Sequence, residues 1–162
     1  MKKLLSLFLA LLLIFGFAGC SEQPDVAVIG GADGPTAIIV SQPDSETLNA
    51  IDEDGWYYSA EDVSLYLYTY GHLPENFITK DEARDLGWEG GSVEDYVPGY
   101  AIGGDPFGNR EGLLPQDRTY KECDIDTNGK DSRGAKRIVY SDDLIYYTED
   151  HYESFTLLYG EE

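Results

Sequence analysis

The sequence contains few positively charged residues for its length. Its 162 residues include 11 Lys and Arg against 31 Asp and Glu, which gives a formal net charge of -20. A chain this acidic repels other polyanions at long range, so overall charge is excluded as its means of binding one. Any anion site must be local, and it can act at contact because the Debye length is about 8 Å at physiological ionic strength.

The few cations are unevenly distributed. The segment RGAKRIVY, residues 133–140, places three of them within five positions. Such a dense cluster in an acidic chain indicates that these side chains hold a particular anion. The alternative is that they form salt bridges to nearby acids.

Long hydrophobic runs are absent except at the start of the chain. Residues 4–17, LLSLFLALLLIFGF, follow a short basic leader and are too few and too terminal for an ordinary membrane-spanning helix. FAGC, which ends at Cys20, resembles the lipobox of bacterial lipoproteins, although Phe17 departs from the usual Leu. We therefore expect a signal peptide at 1–19 and a lipid on Cys20. A simple secretory signal with a chance Cys is the alternative.

Cysteine is equally scarce, with only Cys20 and Cys123 in the chain. If Cys20 carries a lipid, Cys123 is the one thiol left and no intramolecular disulfide can form. The fold must then be stabilised by its own core. Either kind of signal peptide predicts an extracytoplasmic protein, anchored to the outer face of the bacterial cell membrane or secreted.

The rest of the chain divides into a tether, 20–54, and one small domain, 55–162. Two N-terminal capping patterns, Ser59–Asp62 and Thr79–Glu82, predict helices, and Ser92–Asp95 predicts a third, very short helix that ends at Pro98. From Arg118 onward the residue pattern is typical of strands separated by turns. Helices followed by antiparallel strands indicate an α+β fold, with the helices packed on one face of the sheet.

Four motifs within this domain resemble the barnase and binase branch of the microbial guanyl-specific ribonucleases. They occur in family order and nearly at family spacing: LPENFITKDEARDLGW, PGYAIGGDPFGNREG, RGAKRIVYS and DHYESFT. The resemblance covers almost a hundred residues. It implies the microbial ribonuclease fold and an endoribonuclease that cleaves single-stranded RNA after guanosine. It also implies a 2′,3′-cyclic phosphate intermediate and no metal or cofactor.

By this resemblance, Glu122 is the general base and His151 the general acid. Arg133 and Arg137 would bind the scissile phosphate, which suits the planar fork of a guanidinium group. Lys80 would add a point charge beside the same phosphate. Strand alternation supports the assignment of Glu122, because it can face a groove while Cys123 points into the core.

The segment from Phe107 to Gly112 resembles the guanine-reading loop. The resemblance implies that backbone N–H groups of Asn109 and Arg110 face the base oxygen, while the Glu111 carboxylate accepts from the guanine edge. Tyr152 would provide a surface on which the base stacks. We expect a monomer, and the family resemblance also implies a cytoplasmic protein inhibitor in the producing cell.

The alternative interpretation is non-enzymatic: the chain would be an acidic surface lipoprotein that reuses the fold to bind a partner or calcium. The pattern Asp124-x-Asp126-x-Asn128-Gly129 matches the start of a calcium-binding loop, but Ala135 occupies the position where a bidentate Glu is required. The segment is therefore predicted to be a polar turn.

Overall fold

The computed structural model describes residues 51–161. The predicted signal peptide, Cys20 and most of the predicted tether lie outside the described residues. No helix within 51–161 is long and apolar enough to cross a membrane.

Both capping patterns start a helix as predicted. α1 (Ala60–Tyr70) begins after Ser59, whose hydroxyl accepts from the Asp62 N–H, and it ends at Gly71 with a φ of 76°. α2 (Lys80–Asp85) begins after Thr79, which forms a reciprocal capping box with Glu82. Hydrogen bonds from the Thr79 backbone and side chain hold the pKa of Glu82 below its usual value.

The prediction of a third helix, opening at Ser92–Asp95 and ending at Pro98, is wrong. Residues 92–98 form turns, in which only Tyr96 and Val97 donate backbone hydrogen bonds back to Val93. Pro98 has no N–H with which to extend this single turn. The Glu94 side chain instead accepts hydrogen bonds from backbone N–H groups outside the turn.

Six strands form one sheet in the order of the chain. β1 runs parallel to β2, and every later pair is antiparallel. The strands are β1 (Phe77–Ile78), β2 (Ala101–Phe107), β3 (Tyr120–Asp124), β4 (Arg137–Tyr140), β5 (Ile145–Thr148) and β6 (Thr156–Tyr159). The sequence patterns predicted the last four strands. β1 is too short to show a period, and two glycines and a proline obscure β2.

The two faces of the sheet support separate hydrophobic clusters. α1 covers one face, where Val63 and Leu67 pack with Cys123 and Ile138. On the other face, Tyr120, Val139 and Tyr146 are buried, with Phe107 and Tyr152 packed against them. A third cluster joins α2 to β2 through Ala83 and Ile102. The α+β architecture predicted from the sequence is confirmed. On β3, Cys123 packs in the cluster under α1, while the adjacent Glu122 contacts Tyr152 on the opposite face, as strand alternation predicts.

Candidate active site

Glu122 lies at the centre of the site, on β3, with a side chain that is only 12% exposed. The Nζ of Lys80, the first residue of α2, donates to Glu122 Oε1 at 2.7 Å. The Tyr152 hydroxyl donates to Glu122 Oε2 at 2.6 Å. Each carboxylate oxygen thus has a donor that fixes its position. Burial and the neighbouring Glu122 raise the pKa of Tyr152, so its hydroxyl remains a donor at neutral pH.

His151 directly precedes Tyr152 in the chain and is itself exposed to solvent. Its ring centroid is 4.8 Å from that of Tyr152, the residue whose hydroxyl contacts Glu122. His151 and Tyr152 adopt φ values of 59° and 77°, in the left-handed region that non-glycine residues rarely occupy. Two successive residues held in this conformation indicate a loop whose geometry is imposed by its surroundings.

Asp150 holds the loop that carries His151. Its carboxylate accepts from the hydroxyls of Thr148 and Ser154 and from the Ser154 N–H. The Thr148 hydroxyl in turn accepts from the Tyr152 N–H at 3.0 Å. These hydrogen bonds from Ser154 and Thr148 lower the pKa of Asp150 to about 2. Asp150 is the first residue of the motif DHYESFT, but the sequence assigned neither Asp150 nor Thr148 a role in the site.

The low pKa of Asp150 predicts a pH-dependent contribution to stability. Asp150 has a lower pKa in the folded protein than the value of about 3.9 in the unfolded chain, so its ionised carboxylate stabilises the folded protein above that pH. This contribution to the free energy of unfolding is lost as the pH falls toward about 2. We expect Asp150→Asn to lower the thermal midpoint by a constant amount above pH 4, and by progressively less between pH 4 and pH 2. Exposed Asp95→Asn is the control. A difference that stays constant down to pH 2 would contradict the prediction.

Arg133 and Arg137 share one buried ion-pair partner, Asp124, which is 2% exposed. Arg133 donates to both carboxylate oxygens of Asp124, at 2.6 and 2.9 Å. Arg137 Nε lies 2.8 Å from Asp124 Oδ1 without pointing its N–H at it, so this contact is an ion pair without a hydrogen bond. Burial raises the pKa of the Asp124 carboxyl more than the two guanidinium groups lower it.

The two arginines differ in exposure. The Arg137 side chain is 3% exposed and also donates to the backbone carbonyls of Arg133 and Lys136. The Arg133 side chain is 24% exposed, and its guanidinium lies over the Trp88 ring at 5.7 Å. Both are therefore fixed before any ligand binds, and Arg133 is the more accessible.

The loop that precedes Arg133 is held at several points. The Asp126 N–H donates to the Tyr58 carbonyl at 2.8 Å. The Glu94 carboxylate accepts from the Gly129 N–H at 3.2 Å and from the Gly99 N–H at 3.0 Å. Glu94 therefore joins the turn at 92–98 to the loop that carries Arg133. The sequence contained no motif that predicts this connection.

Asn109 organises the predicted guanine-reading loop. Its side-chain amide donates to the Leu114 carbonyl at 2.8 Å and accepts from the Leu114 N–H at 3.1 Å. Its φ of 41° turns the backbone sharply, which leaves Arg110 and Glu111 exposed at the tip of the loop. Phe107, at the base of the loop, packs on Tyr152 with ring centroids 5.2 Å apart. The loop is therefore joined to the Glu122 cluster through two aromatic rings.

The structure brings most of the predicted site residues together. Lys80 and Tyr152 contact Glu122, and Arg133 and Arg137 pair with Asp124 on the same strand. His151 is linked to this cluster through the Tyr152 ring, and the adjoining loop contains Asn109, Arg110 and Glu111. Their individual roles stay predictions. The sequence pattern placed Asp124 only in a predicted polar turn. However, Asp124 lies two residues after Glu122 on the same strand, so both carboxylates are on one face of β3. That alternation was the available signal for it.

The calcium pattern has no support in this geometry. Asp124 is buried, and its two oxygens are paired with two arginines. Among the described residues no group of three or more His, Cys, Asp or Glu side chains could hold a metal ion. Cys123 is buried, and burial raises the pKa of its thiol well above the usual value, which makes it a core residue and not a nucleophile.

Comparison with known proteins identifies the family. A family model described as ribonuclease matches residues 60–159. The chain belongs to the microbial ribonuclease family. It is 40% identical over 167 residues to a ribonuclease of Bacillus intermedius, which covers 96% of this chain and 98% of that protein.

Two further relatives match shorter parts of this ribonuclease. A ribonuclease of Heyndrickxia coagulans is 50% identical over 99 residues, covering 57% of this chain and 89% of the relative. Guanyl-specific ribonuclease St of Saccharopolyspora erythraea is 49% identical over 61 residues, covering 36% and 60%. The predicted membership of the barnase and binase type is confirmed, and so is the prediction of a ribonuclease.

Proposed function

We propose that this ribonuclease cleaves single-stranded RNA, preferentially after guanosine, by transphosphorylation to a 2′,3′-cyclic phosphate and subsequent hydrolysis. The observation that carries the proposal is the environment of Glu122. Its carboxylate is positioned by Lys80 and Tyr152, beside two arginines that Asp124 holds in place. This arrangement supplies a base next to fixed positive charge, as phosphoryl transfer requires.

In the first step, the Glu122 carboxylate accepts the proton of the 2′-hydroxyl as its oxygen attacks the adjacent phosphorus. His151 donates a proton to the departing 5′-oxygen, so the P–O bond breaks without releasing an alkoxide. Arg133, Arg137 and Lys80 stabilise the negative charge that develops on the phosphoryl oxygens. The nucleophile belongs to the substrate, which is why the step needs no metal-activated water.

In the second step, the roles of the two groups exchange. His151, now neutral, accepts a proton from water, whose oxygen attacks the cyclic phosphate. Glu122, now protonated, returns its proton to the 2′-oxygen as the ring opens. Both groups recover their starting states, and the product carries a 3′-phosphate.

Guanine preference is supported by the loop and by the relative named as guanyl-specific. The exposed Glu111 carboxylate can accept from the ring N–H and the amino group of guanine, two donors that adenine does not present together. The Phe107 and Tyr152 rings contact each other, so the base has no room between them and would stack on an outer face. The Arg110 backbone N–H would face the base oxygen.

We also propose that the enzyme acts outside the cytoplasm as a monomer, with 1–19 as signal peptide, a lipid on Cys20, 20–54 as tether and 55–162 as catalytic domain. The apolar leader that ends in FAGC supports this arrangement. A cytoplasmic inhibitor would protect the RNA of the producing cell. The resemblance implies an inhibitor that is itself acidic, so long-range attraction to this acidic enzyme would contribute little to its association rate.

The direct test is to assay the chain, with EDTA present, on two dinucleotides that differ only in having guanosine or adenosine at the 5′ position. We expect the guanosine dinucleotide to be cleaved faster, and a 2′,3′-cyclic phosphate to accumulate before the 3′-phosphate. Equal cleavage of both substrates would contradict the base preference. If the chain cleaved neither dinucleotide and calcium raised its thermal stability, the interpretation as a non-enzymatic binding protein would be favoured instead.

A further inference from the structure

A groove of about 840 Å³ lies next to the candidate active site, between the segment that precedes α1 and the loop that joins β3 to β4. One wall consists of three consecutive aromatic residues, Trp56 to Tyr58. The other wall carries Lys130, Arg133 and Lys136. Arg133 lines the groove and also pairs with Asp124 in the candidate active site, so the groove adjoins that site.

The groove lies at the end of β3 opposite the guanine loop. Tyr120, at the start of β3, pairs with Phe107 at the base of that loop. Glu122 is in the middle of β3. Ile125, the first residue after the end of this strand, lines the groove. Three residues of a strand span about 10 Å. An RNA strand with guanine in the loop and its cleaved bond at Glu122 would therefore pass Arg133 and enter the groove with its 3′ portion.

Trp56 gives the groove a surface on which a base can stack. Its ring is packed edge-on against Tyr100, with centroids 5.1 Å apart, and lies close to Gly99. The residue nevertheless remains 45% exposed. An exposed tryptophan beside cations is the combination with which proteins hold single-stranded nucleic acid without reading its sequence.

The charge of the groove makes it a better surface for RNA than the rest of the protein. Its three cations are balanced by three acids, Asp62, Asp126 and Glu149, so the groove is locally neutral on a strongly acidic protein. Arg133 and Lys136 form ion pairs with Asp124 and Asp126. Within 51–161 the structure shows no ion pair for Lys130, whose ammonium group can therefore contact a phosphate.

We propose that this groove binds the single-stranded RNA substrate on the 3′ side of the cleaved bond, with Trp56 stacking on a base and Lys130 contacting a phosphate. The proposal rests on the ribonuclease function proposed above. It assigns a substrate-binding role to Trp56 and Lys130, which lie outside the motifs that resemble the family.

The test compares two substrates with the full chain. One is a guanosine dinucleotide, which ends before the groove; the other has the same guanosine followed by several unpaired nucleotides. We expect Trp56→Ala to reduce kcat/KM on the longer substrate about 5- to 150-fold, the range for loss of one base–aromatic stack. The dinucleotide should be cleaved as by the wild type. Trp56→Phe should retain most of the activity on both.

Because Trp56 also packs on Tyr100, Lys130→Ala serves as a second variant in an exposed loop that leaves the core intact. We expect it to reduce activity on the longer substrate alone, by a smaller factor. Tyr96→Ala removes an exposed aromatic side chain outside the groove and should change neither reaction. No loss on the longer substrate in either groove variant, or equal loss on both substrates, would overturn the proposal.

The two proposals fail in different ways. If the wild type cleaved neither substrate, the ribonuclease function would fall. Titration with a non-cleavable 2′-deoxy oligonucleotide would then still decide whether the groove binds a single strand. A base that stacks on Trp56 should quench the fluorescence of this residue, and Trp56→Phe lacks that signal. Identical quenching in the wild type and in this variant would exclude the groove as the binding site.

Discussion

Replacement of Glu122 or His151 by alanine should reduce the cleavage of a guanosine dinucleotide about 10²- to 10⁴-fold, the usual contribution of general acid–base catalysis. Glu122→Ala removes the acceptor of the 2′-hydroxyl proton and leaves the Lys80 ammonium without its partner. His151→Ala removes the donor to the departing oxygen. Initial rates measured with EDTA present would give both effects.

The matched controls for this prediction are His72→Ala and Glu89→Gln. His72 is the other histidine of the chain and is exposed, and Glu89 is an exposed carboxylate. Both variants should cleave at the wild-type rate. If Glu122 and His151 act in the same step, the double variant should be little worse than the more severe single one. More than a tenth of wild-type activity in either single variant would contradict the assignment.

Asp124→Asn should destabilise the folded protein by about 3–5 kcal/mol, because it removes the negative partner of a buried charge. Arg137 is 3% exposed and cannot regain water by moving its side chain a short distance. The change also removes the acceptor that orients Arg133, so cleavage should fall even where the protein remains folded. Urea unfolding monitored by fluorescence would give the change in stability.

Asp131→Asn is the matched control, because Asp131 is an exposed acid in the same loop. It should change the free energy of unfolding by less than about 0.5 kcal/mol. If Asp124→Asn were equally mild, the buried carboxylate would not hold the two arginines as the structure shows, and their fixed orientation would need another cause.

The sequence predicted the parts of the fold that depend on local chemistry. Ser59 and Thr79 cap their helices because a side-chain oxygen near an N–H can be read from spacing alone. Glu122 and Cys123 face opposite sides of β3 because alternation is a property of any strand. The two-residue β1 and the glycine-containing β2 could not be predicted in this way, since their pairing is determined by distant residues.

The candidate site shows the same division. The resemblance supplied Glu122, His151 and the two arginines, and their roles stay predictions. The structure links Glu122 to Tyr152, the residue that follows His151, and pairs both arginines with Asp124. The resemblance could not show that the Tyr152 hydroxyl contacts Glu122, because that contact joins residues 30 positions apart. Nor could it show that Glu94 joins two loops, since a solvated acid is the default interpretation of any single Glu in a chain with 31 acids.

The anchored loop before Arg133 has a consequence for how an acidic enzyme can bind an anion. Immobilising an arginine side chain costs up to about 2 kcal/mol of rotamer entropy. Here Asp124 and the Trp88 ring restrict Arg133, and Glu94 and the Tyr58 carbonyl hold the loop that precedes it. That ordering occurs when the chain folds, so an arriving phosphate does not have to freeze the guanidinium. Rigidity at short range can thus offset part of the attraction that the net charge withholds at long range.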